Sequence, residues 1–295
     1  MLLLPNAALA ERRRLVAPGG PLAPLAASLA ADLAPAVARP VWLPPEKARL
    51  SRTGGRCARD GTLLTFDPFS PRRHRCPRCG AEYHDEAHYR WWIMGYHLWL
   101  AERAVHAAVL HLVTDAPPLA DFATRVLDAY AASYLAYPNR DNVLGPSRPF
   151  FSTYLESLWL LHVCVALDAL RAARAPGARA LAGRVRERVL EPSRALVASY
   201  DEGASNRQVW NAAAVLAASS LLGRRPPSPH RLDALRRLAE RTLLPDGSWY
   251  EATSARLGSS TRAFTRAESA ATPGVRAARS ASSATHRCSS QSDSR

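Results

Sequence analysis

A chain of 295 residues that is 47% hydrophobic is long enough to bury a sizeable core, which excludes a disordered or fibrous class. Its formal net charge of +14 is carried almost wholly by arginine, because Lys47 is the only lysine, so an acidic polymer (nucleic acid or a uronate polysaccharide) is the natural partner for a basic groove. No uninterrupted apolar run reaches the roughly 18 residues of a membrane span, and the apolar residues 1–10 lack a basic leader and are interrupted by Pro5, so neither a spanning segment nor a secretory signal is predicted.

Residues 1–53 are rich in Ala, Leu, Pro and Arg and read as a helical lead-in, with a helix near 22–38 and a proline-bounded segment at 41–45. Between 54 and 84 the texture turns polar and turn-rich. Cys76-Pro77-Arg78-Cys79-Gly80 matches one half of a zinc ribbon: the tight turn lets two thiolates face one tetrahedral ion, and the glycine relieves the backbone beyond it. The other half is irregular, since Asp60 stands where a cysteine would follow Cys57. His74, Asp60 and His84 are the candidates for the fourth ligand, with His74 preferred, so the predicted set is Cys57, His74, Cys76 and Cys79 around a structural zinc. Nothing nearby suggests an open catalytic metal with a general base, and no organic cofactor is expected. Cysteines grouped in this way favour a reduced, metal-binding role over a disulfide scaffold, and hence a cytoplasmic location.

From 85 to 251 the hydrophobic period is helical. Helices are predicted over 88–113, 121–137, 151–173, 178–200 with a break near Pro192, 205–222 and 230–243, on short linkers rich in Pro, Gly and Asp. Strand-like alternation is almost absent. Successive helices on short loops imply antiparallel neighbours and an all-α array, although pattern alone does not separate a bundle from a curved α/α toroid. No tyrosine or tryptophan occurs beyond Tyr250, and residues 252–295 are mainly Ala, Ser, Thr and Arg. A disordered basic tail is expected there, because such a composition cannot offset its ordering entropy, and the abrupt change fits a segment read out of frame.

Two stretches carry candidate chemistry. In Asp201-Glu202-Gly203-Ala204-Ser205-Asn206-Arg207-Gln208-Val209-Trp210-Asn211, Ser205 and Gln208 fit a capping box. A helix capped this way also presents free amides and positive dipole to an anion. Asp246-Gly247-Ser248-Trp249-Tyr250-Glu251 supplies a turn followed by two aromatics. Tyr89, Trp92, Tyr96 and Trp99 share a face of the first long helix and read as core before they read as a sugar-stacking platform. His97, His106, His111 and His162 read as interior or rim residues, and Cys164 as a small core residue.

In order and spacing, Trp91-Trp92 with His97, Tyr137-Pro138, Phe151-Ser152-Thr153-Tyr154-Leu155-Glu156-Ser157-Leu158-Trp159, Ser205-Asn206-Arg207-Gln208-Val209-Trp210 and the Asp246 stretch resemble the N-terminal domain of heparinase II/III-type polysaccharide lyases. The resemblance covers roughly 83–251. It implies an incomplete α/α toroid of antiparallel helix pairs acting by β-elimination on a uronic-acid-containing polysaccharide. In that chemistry the uronate carboxylate is neutralised so that a Tyr or His can remove the C5 proton, and a Tyr or His protonates the leaving oxygen. The resemblance assigns neutralisation to Asn206, with Arg207 assisting and Gln208, Trp210, Trp92 and Tyr250 touching substrate. Where the family carries its catalytic tyrosine this chain has Ala252-Thr253-Ser254-Ala255-Arg256, and no β-sandwich domain follows, so a truncated form with little or no turnover is expected. The alternative class is a helical nucleic-acid-binding module with a zinc ribbon, ranked below a polysaccharide binder; an arginine stripe beside Cys76 and Cys79 would favour it. A non-catalytic scaffold is a third reading, favoured if Asn206 is sealed in the core.

Overall fold

The structure, a computed structural model, describes residues 6–203 and 205–224 together with 236, 237 and 240. The predicted helix over 230–243 lies largely outside the described residues; Tyr250 with the Asp246 stretch, and the tail 252–295, lie wholly outside them. Two lead-in helices, α1 (Asn6–Val16) and α2 (Ala23–Val37), come first, and an antiparallel pair of two-residue strands, β1 (His74–Arg75) and β2 (Glu82–Tyr83), follows. The body is α3 (Glu86–Thr114), α4 (Pro117–Ser133) with a 3₁₀ turn at Tyr134–Ala136, α5 (Thr153–Ala172), α6 (Ala178–Val185), α7 (Glu191–Ala198) and α8 (Asn206–Leu221). Among the described residues β1 and β2 form the one sheet, so the all-α reading holds.

Local chemistry sets the boundaries. The Asp85 carboxylate accepts from the backbone N–H groups of Ala87 (3.0 Å) and His88 (3.1 Å) to start α3, and Ser205 Oγ accepts from Arg207 N (3.1 Å) to start α8. Pro117 and Pro118 open α4, where their missing N–H groups have no intrahelical partner to lose. Pro192 acts differently. It cannot donate to the ladder, and its ring excludes the carbonyl four residues back, so the chain passes from α6 to α7 through a π-helical turn at Arg186–Leu190. The break predicted near Pro192 is this widened turn.

The helices form two rows. Tyr154 faces Arg207 and Ser157 bonds Asn211, so α5 and α8 advance together. His97 meets Phe150 just before α5, and Glu102 acts on His162 further along, so α3 runs the same way. The other row is antiparallel to this one: Tyr130 of α4 returns to His97, and Ser193 of α7 returns to Glu156. Arg184 and Arg188 reach Asp128 and Ala131 in turn, which makes α4 and the α6–α7 segment parallel neighbours. An alternation of this kind follows from short loops between antiparallel partners.

Between the rows lies the core. Trp159 is fully buried and stacks on Tyr134 at 5.4 Å with ring planes 3° apart; burial of aromatic rings of this size contributes roughly 3 kcal/mol each. Cys164, also on α5, is buried, as expected of a small core residue. α5 is long and apolar enough to cross a membrane by length and composition alone, yet 67% of its most apolar window is buried inside the fold, so here it serves as a core helix.

Glu156 on α5 is the polar hub. It is wholly buried and accepts from Tyr134 Oη (2.5 Å), Ser193 Oγ (2.7 Å), Ser147 Oγ (2.8 Å) and Arg148 N (3.1 Å). Burial raises its pKa, against the opposing pull of those donors. Close by, the buried Lys47 ammonium shares its three N–H groups among four acceptors, the carbonyls of Pro138 (3.1 Å), Arg140 (2.6 Å) and Ser147 (3.1 Å) and Asn142 Oδ1 (2.8 Å). The only lysine thus straps the lead-in to the loop before α5. Burial lowers its pKa to about 8, with Glu156 acting the other way.

Candidate metal centre and helix-edge site

Two turns of the same construction build the cysteine-rich segment. In the first, Gly61 N donates to Cys57 O (2.9 Å) and Cys57 N to Thr62 O (2.8 Å); in the second, Gly80 N donates to Cys76 O (3.0 Å) and Cys76 N to Ala81 O (2.9 Å). Gly61 and Gly80 sit at φ of 70° and 72°, in the left-handed region where a side chain is strained, so each turn needs its glycine. Asp60 therefore occupies in the first turn the place that Cys79 occupies in the second.

The outcome is a four-donor group of Cys57, Asp60, Cys76 and Cys79, whose ligand atoms all lie within 4.8 Å of one another. Ligands about 2.3 Å from one zinc ion stand about 3.8 Å apart at the corners of a tetrahedron. Cys57 Sγ to Cys79 Sγ is 3.5 Å and Cys76 Sγ to Asp60 is 3.9 Å, so the donor set fits a tetrahedral cation. Without an ion the donors divide: against the pull of the Ala81 N–H, the Cys79 thiol is held above its ordinary value by desolvation and by the Cys57 and Cys76 thiols, while two others are lowered. The Thr62 N–H, 2.9 Å from Asp60, holds that carboxyl down at about 2, and the Cys79 N–H draws the Cys76 thiol below its ordinary value. Tyr83 Oη accepts from Ala58 N (2.8 Å), which leaves its proton for Cys57 Sγ at 3.1 Å, an outer hydrogen bond of the type that orients a metal-bound thiolate.

His74 stands outside this group, contrary to the preferred reading of the sequence. Its buried ring lies against His88 (6.2 Å, stacked) and Trp91 (5.6 Å, edge-on), and neither ring nitrogen has a hydrogen-bond partner among the described residues. Burial lowers its pKa, which keeps it a neutral packing group. His84 is also elsewhere, with Nδ1 on Arg72 O (2.9 Å). The sequence did carry the signal for Asp60: a glycine follows it as Gly80 follows Cys79.

The second candidate site is the edge where α5 and α8 begin. Asn206 lies at the surface in the first turn of α8, so it is not sealed in the core. Arg207 Nη1 pairs with Glu202 at 3.2 Å, and that carboxylate's side chain is only 7% exposed. Glu202 also receives Asn211 Nδ2 (3.4 Å), and Asn211 Oδ1 accepts from Ser157 Oγ (2.7 Å), which ties the loop to α5. Gln208 does not close a capping box; its Oε1 accepts from Glu202 N (2.9 Å) and so shapes the loop. Trp210 is 45% exposed. Tyr154, half-buried in the first turn of α5, lies within the field of Arg207 and Glu202, and burial raises its pKa.

The remaining candidates are placed apart from this edge. Trp92 is completely buried, with Nε1 donating to Asp67 O (2.7 Å) and its ring stacked on Tyr96 at 4.6 Å, so it offers no exposed face to a sugar. His97 donates through Nδ1 to Tyr130 Oη (3.1 Å), since that hydroxyl gives its own proton to His97 O, and burial lowers its pKa to about 3. Tyr154 and Glu202 are the neighbours that the spacing of the motif did not indicate. No protein-family model matches the sequence, and no characterised protein matches it.

Proposed function

We propose that this chain binds a uronic-acid-containing polysaccharide along the edge where α5 and α8 begin, on a helical array of α/α-toroid type resembling that of heparinase II/III-like lyases, with a structural zinc in the cysteine turns. The observation that carries the reading is the parallel alignment of two helix N-termini that brings Tyr154, Asn206, Arg207 and the exposed Trp210 to one edge. An exposed tryptophan beside amide and guanidinium donors suits a sugar ring bearing a carboxylate. Arg207 is already paired, so a uronate has to share or displace Glu202. Turnover by β-elimination is expected to be slow, because the phenol beside Arg207 has its pKa raised by burial and is a poor base at neutral pH.

Zinc in this reading holds the two turns together; Cys57, Asp60, Cys76 and Cys79 would ligate it, and it takes no part in the elimination. The test is calorimetric titration with heparan sulfate, hyaluronan and alginate, alongside absorbance near 232 nm, where an unsaturated uronate product absorbs. Binding to at least one polymer that Trp210→Ala and Asn206→Ala weaken supports the reading, and a rise at 232 nm lost in Asn206→Ala makes it catalytic. Absence of binding to every uronate polymer overturns it.

One observation favours a nucleic acid as second reading. Arg59 and Arg78 stand exposed on the two cysteine turns, and Arg75 on the strand that leads into the second, and none of the three makes an ion pair among the described residues. A phosphate backbone is the polymer such a cluster would meet. Binding of single- or double-stranded oligonucleotides that falls steeply with salt and is weakened in Arg75→Ser/Arg78→Ser selects it.

A further inference from the structure

A cleft of about 200 Å³ opens between residues 36–42, the loop at 68–71 and one face of α3, and shares no lining residue with the metal donors or the helix edge. Its walls are a ladder of rings. Trp92 stacks on Tyr96 at 4.6 Å, Tyr96 on Trp99 at 5.7 Å, Trp42 leans over Trp92 and Tyr96 at 6.1 and 6.0 Å, and Phe69 meets Trp99 edge-on at 5.7 Å. Trp42 and Phe69 form the mouth and are 46% and 40% exposed. Large apolar rings left this open on a folded chain cost hydration free energy, and a ligand that covers them recovers it.

Polar chemistry then narrows what fits. The indole N–H of Trp92 is spent on Asp67 O (2.7 Å) and the Tyr96 hydroxyl on Trp42 O (2.9 Å), so these two buried inner rings offer no free polar group at the floor of the cleft. A sugar pressed against this floor would find no partner there for its hydroxyls, which favours an apolar ring at that depth. The exception is at the rim. Arg39, exposed, lays its guanidinium 4.0 Å over the Phe69 ring and gives one N–H to Pro35 O (2.7 Å), and it makes no ion pair among the described residues. A guanidinium has five N–H donors, so it can engage an anion while holding this contact.

We propose that this cleft is a binding site for a planar aromatic carboxylate, with the ring system between Trp42 and Trp99 and the carboxylate on Arg39. A cavity of about 150 Å³ already accommodates a benzene ring, so this one accepts a one- or two-ring acid. The site is independent of the polysaccharide edge, since none of its residues belongs to that edge.

The experiment is isothermal titration of the full chain with 2-naphthoate and with the neutral 2-naphthalenemethanol. The expected result is saturable one-to-one binding of 2-naphthoate about tenfold tighter than the neutral analogue. Arg39→Gln should abolish that difference while leaving the neutral compound's affinity unchanged, and Trp42→Ala should weaken both; circular dichroism of the variants checks that they fold. Absence of saturable binding, equal affinity for the charged and neutral rings, or binding indifferent to both substitutions overturns the proposal.

Discussion

Replacing Glu156 by leucine tests whether the buried carboxylate organises the start of α5. The side chain accepts four hydrogen bonds at 2.5, 2.7, 2.8 and 3.1 Å. Leucine orphans all four donors. Ser193 and Ser147 can rotate toward other acceptors, whereas the Tyr134 hydroxyl and the Arg148 N–H are fixed by packing and backbone, and each costs about 1–3 kcal/mol when left buried and unpaired. Removing a desolvated carboxyl returns part of this, so the net loss should be about 3 kcal/mol. Urea unfolding at pH 7 followed by circular dichroism at 222 nm, with free zinc held constant, measures it as a shift in midpoint at unchanged slope. Glu156→Gln supplies the sign. Burial raises the folded pKa of Glu156, so its contribution is fully present below the unfolded carboxyl value and is lost as pH rises through the folded one. The wild type's advantage over Glu156→Gln should therefore be larger at pH 4 than at pH 7. A loss below about 1 kcal/mol for the leucine variant would refute the assignment of Glu156 as hub.

Lys47→Met should alter the pH profile in the opposite sense. Lys47 has a folded pKa lowered to about 8, so its contribution is present above the unfolded value of 10.5 and is lost as pH falls through 8. The wild type should gain ~1–2 kcal/mol relative to Lys47→Met between pH 8 and 10.5, half the value for a fully enclosed group. Asp60→Ala should reduce zinc affinity by at least tenfold and Asp60→Cys should raise it, read by competition with a chromophoric chelator, while His74→Phe leaves zinc affinity unchanged. Chelation should loosen residues 54–84 and leave the α3–α8 body folded, visible as hydrogen exchange confined to the cysteine turns. Gly80→Ala, at φ of 72°, should lower zinc affinity with little change in helicity.

Whatever depends on neighbours in the chain was legible beforehand. The helices over 88–113, 151–173 and 205–222 emerged within a few residues of their ends, because hydrophobic period and capping side chains act within one turn. The turn at Cys76–Gly80 was legible for the same reason, being closed by its own backbone and glycine, whereas the matching turn at Cys57–Gly61 read as irregular. The glycine after Asp60 was a local signal for it, but spacing along the chain left His74 open as well, and only the gathering of the donors in space decided between them. Tertiary structure alone aligned α3, α5 and α8 in one direction, placed Tyr154 beside Arg207, and buried Trp92 while leaving Trp210 exposed. It also gave Lys47 its partners, which lie 91 to 100 residues further along the chain. Contacts of that range depend on how whole helix faces pack, and a periodic pattern identifies an apolar face without naming the face it meets.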